Sequence, residues 1–179
     1  GGVLLLPQSA VAQRARACYN RYTAHTADIR HTEAGHMYYS QLVKTACIIL
    51  FQAHRDDLDK GGYPYVFHPF YLATQMDDEA STCVALLHDV IEDHGDMYSF
   101  ADLERAGFSP SVLDALRLLT HAKGVPYMDY VQALAKNPIA RKVKCADLRH
   151  NLDTRRIDGA VLAKRDTYLQ ALAYLEKTE

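Results

Sequence analysis

From residue 39 onward, apolar positions return at three- and four-residue steps, the period of amphipathic helices. Between Tyr39 and His54, Leu42, Ala46, Ile49, Leu50 and Ala53 share one face. The pattern breaks over Asp56 to Tyr65, where Gly61, Gly62 and Pro64 predict a loop whose backbone can approach a ligand closely. Val66-Phe67-His68-Pro69 restores order, with Pro69 suited to the first turn of a helix reaching about Met76. Asp77-Asp78-Glu79 then places acids at the start of a helix, where the dipole favours them, and Ala80, Val84, Leu87 and Ile91 form its stripe up to Gly95.

Further on, Ser99 can cap a short helix that stops at Gly107, and Ser109-Pro110 opens another carrying Val112, Leu113, Leu116 and Leu119. A turn at Gly124-Val125-Pro126 precedes a helix over Asp129 to Lys136. Asn137-Pro138 starts the next, with Ile139, Val143, Ala146, Asp147 and His150 along one face. A last helix spans about Ala160 to Glu176. No stretch alternates with a period of two, so the fold class expected is all-α, a compact helical bundle.

Residues 1–36 differ in character: four arginines, no lysine, and little apolar periodicity after Val11. Met37 is a candidate start, which makes the preceding residues an N-terminal extension or leader; a packed helix near Ala10 to Tyr22 is the alternative. The expected domain is 37–179. Val3-Leu4-Leu5-Leu6 lacks the basic first region and full apolar segment of a signal peptide.

At 179 residues with 49% hydrophobic and 23% charged positions, the chain has the balance of one globular domain rather than a disordered one. A formal net charge of -2 gives no electrostatic reason for a nucleic-acid polymer partner, but leaves small anions open. Cys18, Cys47, Cys83 and Cys145 lack paired spacing, which points away from zinc knuckles and redox motifs and toward a reducing cytoplasm. No apolar run is long enough to span a bilayer, so no membrane partner is expected. The oligomeric state is not legible.

The chemistry concentrates in Leu86-Leu87-His88-Asp89-Val90-Ile91-Glu92-Asp93-His94. On a continuous helix His88 and Glu92 share one face, and Asp89 and Asp93 the adjoining one. Such groups beside an apolar face need a cation or a hydrogen-bond network. His68 at a helix start and Asp147 interrupting an apolar stripe supply the same chemical types. Two imidazoles and two carboxylates suit manganese, iron, cobalt or zinc better than calcium. The alternative is a solvated helix end.

A His, then a His-Asp pair on a helix, then a distant Asp resembles the signature of the HD superfamily of metal-dependent phosphohydrolases. Gly62-Tyr63-Pro64-Tyr65-Val66-Phe67-His68-Pro69, Ala85 to Asp93, and Lys144-Cys145-Ala146-Asp147-Leu148-Arg149-His150-Asn151 resemble, in order, the RelA/SpoT hydrolase domain and its small stand-alone relatives. The match covers about Tyr39 to Thr154. The resemblance implies an HD-type bundle in which His68, His88, Asp89 and Asp147 bind one ion, usually Mn2+, while Glu92 and Asp93 activate or steer water. It implies hydrolysis of the 3'-pyrophosphate of guanosine tetra- or pentaphosphate, the alarmones of the stringent response, to GDP or GTP. It also places Lys60 near the nucleotide, and Asn151 and Thr154 on the nucleoside. No synthetase activity is expected, since the chain ends soon after the last helix.

Two positions depart from that pattern. Asp59 stands where the family usually has a basic residue, commonly an arginine stacked on guanine, and an acid can neither stack nor pair with phosphate. Leu148 stands where arginine is frequent, with Arg149 adjacent to compensate. Another nucleotide or phosphorylated metabolite is therefore a second enzyme reading, and a catalytically silent nucleotide-sensing module a third. His54 reads as structural or as a support behind the ligands, His94 and His121 as surface residues, and Arg155-Arg156 as a helix end or an anion-attracting mouth.

Overall fold

A computed structural model of the chain describes residues 38–153 and 164–178. The extension at 1–36, Thr154, Arg155-Arg156 and the expected start of the last helix at Ala160 lie outside the described residues. Among those described the fold is all-α, as the periodicity requires: no strand is present, and one bridge joins Leu58 to Pro64 across the predicted loop. No described helix is long and apolar enough to cross a membrane.

Helix α1, Gln41–Ala53, begins where the Ser40 side chain accepts the Val43 amide at 3.1 Å. The loop after it returns through Gly62, whose φ of 78° suits glycine, into α2, Phe67–Ala73, with Pro69 in the first turn. Helix α3, Glu79–Leu87, is capped by Asp78 and buried throughout from Ser81 to Leu87. It is the central element, packing on α1 and α2 as well as on two later helices.

The chain does not continue as one helix through His88 and Asp89. It turns there and resumes as the single turn α4, Val90–Asp93, with Asp89 at φ -103°, ψ -6°. The physical reason lies in His88, whose Nδ1 engages the Ala85 carbonyl at 2.9 Å, the acceptor a continuous helix offers to the Asp89 amide. Val90 consequently takes a fully buried place in the core, and Ile91 only lines its edge. Gly95 then follows: a Cβ there would stand 2.9 Å from the Ile91 carbonyl.

Helix α5, Phe100–Arg105, starts in a capping box between Ser99 and Asp102. Helix α6, Pro110–Leu119, α7, Tyr127–Leu134, and α8, Pro138–Leu152, follow the predicted boundaries within two residues. Helix α9, Arg165–Glu176, packs on α8 and α7 through Ala171 and Leu175. Helices α6 and α8 are the two later elements that close on α3. Cys83 and Cys145 are buried and Cys47 half-buried, in keeping with the apolar reading of their neighbourhoods.

Candidate metal centre and active site

The first turn of α2, the break between α3 and α4, and the middle of α8 converge. Packing of α2 and α8 against α3 brings His68 and Asp147 beside His88-Asp89, across sequence separations of about twenty to eighty residues. His68 Nε2 lies 3.1 Å from Asp147 Oδ1, and His88 Nε2 lies 3.0 Å from Asp89 Oδ2. One ligand atom from each of His68, His88 and Asp89 falls within 4.8 Å of the others. His68, His88 and Asp147 are buried, while Asp89 is partly open to the cavity.

These side chains fit a divalent cation on grounds of their own. His88 Nδ1 is backed by the Ala85 carbonyl, which directs its proton there and leaves the Nε2 lone pair facing forward. That Nε2 is buried without a hydrogen-bond partner despite its closeness to Asp89. His68 is backed in the same way, its Nδ1 lying 2.6 Å from Nδ1 of His150, with the two rings stacked at 4.9 Å. Burial lowers the His68 pKa. For His88 burial also acts downward, yet the Asp89 and Asp147 carboxylates push it up to about 9. Without a cation, a proton on His88 and the Lys144 ammonium offset the two carboxylates, and a cation at Nε2 would take that proton's place.

Three participants were not singled out from the sequence. Tyr65 donates its hydroxyl to Asp89 Oδ2, and burial together with that carboxylate pushes its own pKa upward, so it stays a donor. Lys144, nearly buried, pairs with Asp147 Oδ2 at 2.8 Å. His150 supports His68 and stacks on Tyr71 at 4.2 Å. All three stand within the quoted motifs; Lys144, three residues before Asp147 on α8, has the spacing of a helical ion pair, while nothing local marks Tyr65 or His150 as a partner.

A cavity of about 730 Å³ opens over the cluster, lined among others by His68, Asp89, Asp147, Glu92, Asp93, Lys60 and Asn151. His88 forms no part of that lining and sits behind it. Glu92 Oε2 accepts the His121 backbone amide at 2.8 Å rather than a Lys or Arg. Asp93 is pushed up to about 6, first by desolvation and then by Asp89 and Glu92. Asn151 Nδ2 donates to Asp147 Oδ1 at 2.5 Å, so at least part of its amide is turned toward the cluster. Lys60 is exposed at the rim.

The remaining sequence expectations divide. Arg149 does not compensate for Leu148: its guanidinium reaches Glu176 Oε1 at 2.7 Å on the outer surface, and Leu148 is a fully buried core residue of α8. His94 and His121 are not plain surface residues; His94 is mostly buried against Asp57, and His121 lines the cavity. Asp59 is held in the loop, its Oδ1 accepting the Gly61 and Tyr63 amides at 2.8 and 3.0 Å. An acid at that position therefore shapes the turn by hydrogen bonding.

Helical layers with a His/His-Asp/Asp cluster between them define an HD-type domain. No family model matches the chain. It is 31% identical over 128 residues to a probable GTP pyrophosphokinase of Mycobacterium leprae, which covers 64% of this chain and 16% of that protein. It is 30% identical over 125 residues to the bifunctional (p)ppGpp synthase/hydrolase RelA of Mycobacterium tuberculosis, 64% of this chain and 17% of that one. The chain thus spans less than a fifth of the length of either relative. A solved structure of a metazoan ortholog of SpoT, described as hydrolysing ppGpp and playing a role in starvation responses, superposes with a TM-score of 0.63 at 27% identity. That match covers 79% of this chain and 86% of the other. In sequence and in fold the chain is thus similar to the HD domain of RelA/SpoT proteins.

Proposed function

We propose that the protein is a metal-dependent phosphohydrolase that removes the 3'-pyrophosphate of guanosine tetra- or pentaphosphate, with Mn2+ as the resident ion. The observation that carries this reading is the cavity that His68, Asp89 and Asp147 line together with Glu92 and Asp93, with His88 clustered against His68 and Asp89. His68, His88, Asp89 and Asp147 would hold the ion. When bound, a divalent ion polarises a phosphate oxygen and makes water a better nucleophile near neutral pH.

The chain's own groups do the rest. Asp93, with a pKa near 6, can accept and return a proton close to neutrality. Glu92, fixed by the His121 amide, orients water at the cavity wall. Lys144 balances Asp147 and keeps it a carboxylate. Lys60 offers a point charge to a phosphate, and Asn151 a polar edge to the nucleoside. Support comes from the metazoan SpoT ortholog, described as hydrolysing ppGpp, and from the bifunctional synthase/hydrolase of Mycobacterium tuberculosis.

Asp59 favours a second reading, the same reaction on another nucleotide or phosphorylated metabolite, because no guanidinium stands at that loop position to meet guanine or phosphate. Manganese-loaded protein should be offered guanosine tetraphosphate beside a panel of nucleotides and phosphomonoesters, with pyrophosphate and phosphate measured separately. Pyrophosphate from the tetraphosphate is the expected result. Phosphate from a different compound moves the assignment to the second reading, and tight nucleotide binding without any turnover rejects both.

A further inference from the structure

A second set of metal-ligating side chains stands beside the first and has no part in the proposed reaction: His54, Asp57 and His94. Each is placed by backbone structure. His54 is the C-cap of α1, its amide bonded to the Leu50 carbonyl at 3.0 Å. Asp57 sits in the turn directly after, its amide donating to the His54 carbonyl at 3.3 Å while its own carbonyl accepts the Tyr65 amide at 3.0 Å. His94 is the C-cap of α4, forty residues further along. The tertiary fold, not local spacing, brings the two imidazoles together, edge to face with centroids 4.5 Å apart.

Both rings address one oxygen. Asp57 Oδ2 lies 2.8 Å from His54 Nδ1 and 2.7 Å from His94 Nε2. The two nitrogens and the oxygen fall within 4.8 Å of one another. The His54 side chain is completely buried and its Nε2 has no partner, so the ring's polar chemistry is spent at Nδ1, toward this group. Burial, the largest influence on His54, holds its pKa below the ordinary value and keeps the imidazole in the neutral form that binds metals. Desolvation raises the Asp57 pKa, but the hydrogen bonds from His94 and His54 outweigh it and keep the carboxylate ionised. Asp57 and His94 are partly open, at 38% and 18% side-chain exposure, which leaves room for water to complete a coordination shell.

We propose that His54, Asp57 and His94 form a second cation site, on the rim of the cavity, for a divalent transition ion of the zinc or cobalt type. Two imidazole nitrogens and one carboxylate oxygen with open positions suit those ions rather than calcium or magnesium. The His54 ring needs only to present its other tautomer. An ion held there places positive charge on the wall formed by Asp57, Leu58, Asp59 and Lys60, where an anionic ligand entering the cavity would meet it. The assignment does not depend on which substrate the cavity takes.

The test counts ions. Chelator-stripped full-length protein is equilibrated with zinc chloride, desalted, and assayed for bound zinc per chain, with far-UV circular dichroism recorded on each sample. His94→Ala and the near-isosteric Asp57→Asn should each hold one equivalent fewer than wild type, and His88→Ala should also lose one, from the other cluster. The double variant His88→Ala/His94→Ala should lose two. In cobalt-loaded samples the visible absorption of wild type minus His94→Ala should be a distinct band set, not a scaled copy of the remaining one. Zinc content unchanged in both His94→Ala and Asp57→Asn overturns the second site. A loss in those two variants with none in His88→Ala supports it, and rejects the four-residue centre instead.

Discussion

Replacing Lys144 by methionine separates what the lysine does for the fold from what it does for the cation. Lys144 Nζ sits 2.8 Å from Asp147 Oδ2, with side-chain exposures of 14% and 6%. At an effective dielectric of about 20 two unit charges at that distance attract by roughly 6 kcal/mol before desolvation is counted. Breaking a buried pair by removing one partner typically costs about 3–5 kcal/mol, because the remaining charge is left uncompensated. Asp147 keeps contacts with His68 and Asn151, so the lower end is expected: about 3 kcal/mol in metal-free protein. Methionine retains most of the stem but removes the Nζ that stands 5.5 Å from the Tyr130 ring centroid, a loss counted within that figure.

In manganese-loaded protein the ion takes over the neutralisation of Asp147, and the cost of Lys144→Met should fall to about 1 kcal/mol. By linkage the difference of about 2 kcal/mol appears as roughly 30-fold tighter manganese binding by the variant. Urea unfolding with chelator and with excess manganese, together with a direct manganese titration, measures both sides of the cycle. Equal destabilisation in the two conditions and unchanged affinity would refute the placement of Asp147 on the ion.

His150→Ala removes the ring that backs His68 Nδ1 at 2.6 Å and should weaken manganese binding about 10–100-fold with the helices intact, as losses behind a ligand do; an unchanged titration would show that this contact does not orient His68. Asp78→Ala removes the α3 cap, which accepts the Ser81 amide at 2.8 Å, and should cost about 1 kcal/mol at neutral pH by urea unfolding. The Asp78 carboxyl is more than a third exposed, so its pairing with Lys142 adds little to that figure. Desolvation raises the Asp78 pKa, but the Ser81 hydrogen bonds outweigh it and hold it below the ordinary value of 3.8. A lowered carboxyl pKa contributes stability above the unfolded-state value and loses it as pH falls through the folded one. The gap between wild type and variant should therefore narrow on acidification below about pH 4, and a gap independent of pH would contradict a charged cap.

Helix positions were legible because caps and breakers punctuate an unambiguous period: Ser99, Pro110 and Asn137 each stand at an observed start. The break at His88-Asp89 was not legible, since the apolar stripe runs straight through it and only the His88 ring reaching the Ala85 carbonyl reveals it. The four residues of the first cluster could be picked out by type and order, because buried imidazoles and carboxylates demand a partner. Their supports could not. The contact between His68 and His150 spans 82 residues and that between Tyr65 and Asp89 spans 24, whereas Lys144 is the exception, three residues before Asp147 on the same helix. His94 looked unengaged for the same reason: the oxygen it meets belongs to Asp57, 37 residues earlier.

The division of labour between ligands and water-handling acids is tested most directly by measuring bound manganese and pyrophosphate release from guanosine tetraphosphate on the same preparations of wild type, His88→Ala and Glu92→Gln. His88→Ala should lose both the ion and the activity. Glu92→Gln should retain the ion and release pyrophosphate about 10²–10⁴-fold more slowly. Equal loss of manganese in the two variants, or full activity in Glu92→Gln, would contradict it.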